Sequence, residues 1–217
     1  MRNRFDRQLE QLHVELIEMG GMCEDVIRKT SRILKTGEIQ IAKEIRQEDH
    51  NIDEQERKIE SLCLKLLLQQ QPVAKDLRKI SAALKMITDM ERIGDQASDI
   101  AEIVETADFT VPKDDIKIAQ MAETTIAMVT ESIDAYVKQD IELVREVIGR
   151  DDEVDELFVQ VREEIAQSMI TEQINAANSL DLLMIAKYFE RIGDHATNIA
   201  EWVAFSITGM HKDADLS

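Results

Sequence analysis

Glycine and proline are scarce, seven and two in 217 residues. Together they make about 4% of the chain, against about 12% in an average protein. Few turns fit, which excludes a fold of many strands joined by tight loops. Aromatic residues are 4%, too few for a surface that stacks bases. Basic residues are outnumbered, 26 against 44 acids, for a net charge of −18. A chain so acidic is repelled by DNA, RNA and anionic lipid, so no nucleic-acid partner is expected. Its charge suits metal cations, or basic patches on another protein. The two cysteines, Cys23 and Cys63, have no metal-ligand spacing and form no disulfide framework; both fall at apolar positions and read as core fillers. No run approaches about eighteen apolar residues, and no apolar run follows the bases of Met1-Arg2-Asn3-Arg4-Phe5-Asp6. The expectation is a cytoplasmic protein without direct membrane insertion. A Gly-rich phosphate loop, a nucleophile elbow and paired Cys/His are all missing, so no enzyme is expected.

What is present is helical periodicity. Apolar residues recur at Phe5, Leu9, Leu12, Leu16, Met19, Cys23, Val26 and Ile33, with Thr30 filling the one gap. Steps alternating four and three put them on one stripe of a helix, which Thr36-Gly37 ends. A second helix is predicted from about 38 to 70, with Ile45, Ile52, Ile59, Cys63 and Leu66 on its core face. Pro72 fits the first turn of a third helix reaching about Thr106. Asp108-Phe109-Thr110-Val111-Pro112 reads as a loop. A fourth helix carries Ala119, Ala122, Ile126, Val129, Ile133 and Tyr136; a fifth spans about 140–169 and a sixth about 177–205.

Three helices, a loop and three helices suggest duplication. Residues Glu91 to Val104 read ERIGDQASDIAEIV, and Glu190 to Val203 read ERIGDHATNIAEWV, ten of fourteen identical at an offset of 99. At an offset of 102, Asp49-His50-Asn51-Ile52-Asp53 answers Asp151-Asp152-Glu153-Val154-Asp155. The predicted fold is all-α, two tandem three-helix bundles related by internal duplication. The units are residues 1–107 and 113–208, with 209–217 a frayed tail.

Each unit carries two acid-x-x-x-acid pairs: Asp49 with Asp53 and Glu91 with Asp95, then Asp151 with Asp155 and Glu190 with Asp194. That spacing puts both carboxylates of a pair on one helix face. Like charges so placed destabilise a helix by a few tenths of a kcal/mol. Two carboxylates about 4 Å apart repel by roughly 4 kcal/mol at an effective dielectric near 20. A multivalent cation reverses that sign, and oxygen ligands favour magnesium, manganese, iron or calcium. Turning about 100° per residue sets Glu91, Asp95 and Glu102 nearly opposite the apolar face of Ile93, Ala97, Ile100 and Val104, so any metal is expected near the surface. The plainer reading of such acids is a solvated face, and Arg92 and Arg191 are available to them as ion-pair partners. Two things count against it: the block is duplicated, and so are Gly94 and Gly193, each costing about 1 kcal/mol in mid-helix. His195, beside Asp194, is a further candidate ligand; His50 and His13 are weaker ones. Glu10-x-x-His13 is a single copy of a pattern that di-iron carboxylate bundles need twice, which disfavours a ferritin-like oxidase.

The duplicated ERIGD block, with its Asp-x-x-x-Asp partner one helix earlier, resembles the PhoU family of phosphate-transport and phosphate-signalling regulators. Gln71-Pro72-Val73-Ala74-Lys75-Asp76-Leu77-Arg78 ahead of the first block and Glu190 to Glu201 in the second strengthen the likeness, which covers essentially the whole chain. The resemblance implies multinuclear metal clusters, iron or zinc in some members, held by the acid-x-x-x-acid motifs. Asp99 adds an acid to the first metal set, and Glu102, His195, Asn198 and Glu201 are candidate additional ligands. It also implies a negative regulator that contacts the ATPase subunit of the phosphate ABC transporter and a phosphate-sensing histidine kinase, at the inner membrane face and without an anchor. A homodimer is expected. Two departures stand out: Asp99 replaces the Asn of the usual pattern, kept at Asn198, and the second repeat lacks the Gln-Pro-Val-Ala approach. Three other readings remain: an accessory protein of a single-component phosphate permease, a carboxylate-bridged metal enzyme, and a plain helical scaffold.

Overall fold

The computed structural model describes residues 2–69, 72–107, 117–171 and 174–210. Among them are six helices and no strand: α1 Arg2–Thr36, α2 Ile39–Gln69, α3 Ala74–Thr106, α4 Ile118–Lys138, α5 Ile141–Ile170 and α6 Ala176–Thr208. Helix α1 packs on α2, α3 and α4, while α6 packs on α3, α4 and α5. The α1 stripe is buried from Phe5 to Ile33, with only Leu9 partly exposed. Thr30 sits in it at no cost because its hydroxyl donates to the Val26 carbonyl at 2.8 Å. Gly37, at φ +66°, ends α1 in the left-handed region that favours glycine.

The structure corrects two details. Pro72 lies ahead of the α3 cap and not in its first turn: Val73 is extended, at φ −76° and ψ 164°, so the first helical residue is Ala74. On α4, Ala119 is exposed, and Ile118 and Met121 are buried instead. The helix meets α1, α5 and α6 at once, which widens its buried face to include Thr125, Met128 and Ser132. The predicted loop at 108–112 and the tail beyond 210 fall outside the described residues.

Helices α3 and α6 form the central pair and run antiparallel. Asp89 Oδ1 meets the Asn198 amide at 3.2 Å and His195 Nδ1 at 2.9 Å. Ten residues further along α3, Asp99 accepts from the Tyr188 hydroxyl. At the repeat offset of 99, Asp89 answers Tyr188 and Asp99 answers Asn198. The two contacts are thus one contact related by a pseudo-twofold axis. Helices α1 and α4 also meet, where a Cβ on Gly20 would lie 2.7 Å from Ile133 Cγ2, and His13 Nδ1 lies 3.0 Å from the Tyr136 hydroxyl.

Candidate functional site

In each repeat the acids gather along the seam between the second and third helix. At the α2–α3 seam Asp49 lies over Gly94, whose absent side chain leaves room for it: a Cβ there would stand 2.9 Å from Asp49 Oδ1. That oxygen is buried and has no hydrogen-bond partner among the described residues. Burial, then the charges of Asp95, Asp53 and Asp99, push the Asp49 carboxyl up to about 6, opposed by a hydrogen bond from Ser98. Glu91 is held above the usual carboxylate range by burial and then by Asp95. Its neighbours are tied at the rim, Asp95 to Arg92 at 2.9 Å and Asp53 to Arg57 at 3.4 Å.

The α5–α6 seam repeats this arrangement. The Thr197 hydroxyl donates to Asp151 Oδ1 at 3.1 Å, in the position Ser98 takes opposite Asp49. Burial first, then Asp151 and Glu190, raise the Asp155 carboxyl; burial, then Glu190 and Asp151, raise that of Asp194. Lys187 pairs with Glu190. Glu91 and Asp95 are half-buried against α2 rather than turned to solvent opposite the core, because α3 is buried on three sides, by α1, α2 and α6.

The structure thus brings Asp49, Asp53, Glu91 and Asp95 to one seam and Asp151, Asp155, Glu190 and Asp194 to the other; Asp99 adds its charge to Asp49 from the seam's edge while meeting Tyr188 of α6. His195 and Asn198 turn to Asp89, across the repeat boundary. Glu102 is exposed and Glu201 half-buried, each seven residues beyond the last acid of its pair, Asp95 or Asp194. The donor set, all oxygen and alike in charge, with Asp49 Oδ1 lacking a partner, suits a hard cation. As the side chains stand, no three His, Cys, Asp or Glu among the described residues converge closely enough to hold a metal ion. Asp95 and Glu190 would leave Arg92 and Lys187 to join such a set.

The chain matches the PhoU domain twice, over residues 16–104 and 118–203. The chain belongs to the PhoU family. It is 36% identical over 214 residues to a phosphate-specific transport system accessory protein PhoU homolog of Clostridium acetobutylicum, covering 98% of each chain. A homolog of the same name from Rhizobium meliloti is 30% identical over 216 residues, 97% of this chain and 90% of the relative. The crystal structure of PhoU from Pseudomonas aeruginosa superposes with a TM-score of 0.87 at 30% identity, covering 95% of this chain and all of that one.

Both PhoU domains hold a device that stripe counting misses. Cys23 Sγ lies 3.4 Å from the Met90 carbonyl oxygen, and Thr125 Oγ1 3.5 Å from that of Phe189. The donors correspond at the offset of 102 and the acceptors at 99. Each carbonyl immediately precedes an acid block, so the first helix of each domain touches the third where its carboxylates begin; the Thr125 hydroxyl itself donates mainly to Met121 of its own helix, at 2.9 Å. The signal in the sequence was two polar side chains aligned on apolar stripes. A cavity of about 430 Å³, lined by Glu10, His13, Lys79 and Tyr136 among others, lies between α1, α3, α4 and α6, away from both acid seams.

The two glycines of the PhoU blocks differ in a testable way. A Cβ on Gly193 would make only an ordinary 3.4 Å contact with Val154. Gly193→Ala should therefore stabilise by up to about 1 kcal/mol through helix propensity. Gly94→Ala must displace Asp49 Oδ1 and crowd Ile52, and should lose about 1 kcal/mol net, since overpacking costs roughly 1–3. Urea midpoints of the two variants should move in opposite directions.

The raised carboxyls also set a pH dependence. A carboxyl with a folded pKa above its unfolded value keeps its proton better when folded. The stability it permits is full below the unfolded value and is lost as pH rises through the folded one. For Asp49 the window runs from 3.8 to about 6. Metal-free protein should therefore unfold at lower urea at about pH 7 than at about pH 5, and Asp49→Asn should flatten that slope.

Proposed function

We propose that this protein is a metal-binding regulatory adaptor, without catalytic activity, that restrains phosphate uptake and phosphate-starvation signalling. Its partners in this reading are the ATPase subunit of a phosphate ABC transporter and a phosphate-sensing histidine kinase. It works in the cytoplasm, at the inner face of the cell membrane, held there through those partners. Membership of a family whose relatives are named as phosphate-specific transport system accessory proteins supports the transport context. The observation that carries the metal-dependent part is the duplicated acid seam, in which buried like charges face one another and Asp49 Oδ1 has no partner among the described residues.

In the first repeat Asp49, Asp53, Glu91, Asp95 and Asp99 would hold the cation, and in the second Asp151, Asp155, Glu190 and Asp194. When bound, iron, zinc, manganese, magnesium or calcium supplies the positive charge that like-charged carboxylates lack. The residues themselves then do the positioning: Asp49 and Asp53 on α2 close towards Glu91 and Asp95 on α3, and the corresponding acids close α5 on α6. Partner affinity follows the arrangement of these helices. The test is binding of the ATPase subunit and of the kinase by a chain carrying Glu91→Gln, Asp95→Asn, Glu190→Gln and Asp194→Asn. Binding should fall at least tenfold and should not respond to added metal; undiminished binding would sink the metal-dependent reading.

A further inference from the structure

The whole-chain charge conceals one end of the molecule. Residues 61–88, the end of α2 and the first half of α3, hold five bases (Lys65, Lys75, Arg78, Lys79 and Lys85) against one acid, Asp76, a net +4 in a chain of −18. The matching stretch of the second repeat, residues 163–187, is −3: Glu163, Glu164, Glu172 and Asp181 against Lys187. Duplication kept the acid blocks and reversed the charge of this tip. Elsewhere on α2 three of the four bases are in ion pairs, Arg46 with Glu105, Arg57 with Asp53 and Lys58 with Glu15. No ion pair links the five tip bases to another described residue; Arg78 lies against Gly209 at the end of α6, and Lys79 lines the cavity that Asp6 and Glu10 share.

The same tip exposes Leu68 (85%), Val73 (59%), Leu64 (48%) and Leu77 (45%). Leu64 and Leu68 lie on the last turns of α2, and Val73 and Leu77 at the start of α3. Exposed bases beside exposed apolar side chains, Lys65 with Leu64 and Leu68 and Lys75 with Val73 and Leu77, suit an anionic lipid surface, where the bases meet headgroups and the apolar side chains enter the boundary below them. The acid seams do not oppose this. Asp53 lies fifteen residues from Leu68 along α2, roughly 20 Å at 1.5 Å per residue. That exceeds the screening length of about 8 Å at physiological salt.

We propose that the α2–α3 tip docks directly on anionic membrane, end-on, with the acidic seams held away from the lipid. This rests on charge and exposure alone and stands or falls separately from the regulatory reading. The experiment is co-sedimentation of the purified full chain with vesicles of equimolar phosphatidylglycerol and phosphatidylcholine, against phosphatidylcholine alone. Binding should require phosphatidylglycerol and weaken as salt rises. Each basic residue near such a surface is worth about fivefold, so Lys65→Gln, Lys75→Gln and Lys79→Gln together should reduce it roughly a hundredfold. Leu68→Gln should weaken it with every charge in place, and Glu163→Gln with Glu164→Gln, at the other tip, should leave it unchanged. All these side chains are exposed or at the surface, and circular dichroism should show an intact helical fold. The proposal is overturned by a chain that ignores phosphatidylglycerol, or by a triple variant that binds as well as the parent. It is equally overturned if the triple variant loses only an acidic protein partner in lipid-free solution.

Discussion

Protein purified without chelators should carry metal in stoichiometric amounts, and the same protein with Asp95→Ala and Asp194→Ala should carry at least tenfold less by mass spectrometry. The expectation follows from the sign of the seam electrostatics. Asp49, Asp155 and Asp194 are each raised by burial and by neighbouring carboxylates, so the apo fold works against its own charges. At a metal concentration a hundredfold above Kd, binding adds about 2.7 kcal/mol. For a chain of this size that is about 5–11 °C in Tm. The variant should lose this metal-dependent increment. Without metal its order should invert: with two charges removed, the apo variant should melt above the apo parent. A well-folded parent that takes up none of iron, zinc, manganese, magnesium or calcium would leave these acids as a docking surface.

Phe189→Ala should be the most costly single truncation, about 3–5 kcal/mol. Phe189 heads the largest fully buried side chains, with no exposure, on the one helix that touches α3, α4 and α5. Its backbone carbonyl lies 3.5 Å from the Thr125 hydroxyl, and Glu190 follows it directly. A cavity there loosens the helix at the start of its acid block, so metal content of the second repeat should fall with stability. Met90→Ala, the counterpart beside Glu91, should cost about 2–5 kcal/mol. Urea unfolding at unchanged slope, read together with metal analysis, checks both.

Much of this was legible in the residues. Phe5 to Ile33 declared α1 because a four-three alternation has one geometric meaning, and the ERIGD blocks declared the duplication. The acid pairs were legible because spacing along a helix fixes their face. What spacing cannot show is which face a neighbouring helix covers. Glu91 and Asp95 looked solvated opposite Ile93 and Ala97, but α3 is packed on three sides, and α2 covers the one on which these acids lie. His195 and Asn198 sit in the acid block by sequence and turn to Asp89 by packing, a partner 106 and 109 positions away. Gly20 announced nothing until Ile133 was placed against it. The charge of the α2–α3 tip was in the sequence throughout, hidden by summing over 217 residues.

The antiparallel pairing of α3 with α6 has a consequence for how the chain is made. When the ribosome has released α3, the helix that covers its inner face is about a hundred residues from completion. At roughly 5–20 residues per second, that is about 5–20 s of exposure. For that interval the face of α3 that α6 will cover, marked by Asp89 and Asp99, is left to α1 and α2 alone, or to a chaperone. A nascent first half is thus a sticky three-helix intermediate whose natural rescuer is its own unsynthesised copy. A second nascent chain offers a similar face, and the hazard is a swapped dimer formed on neighbouring ribosomes.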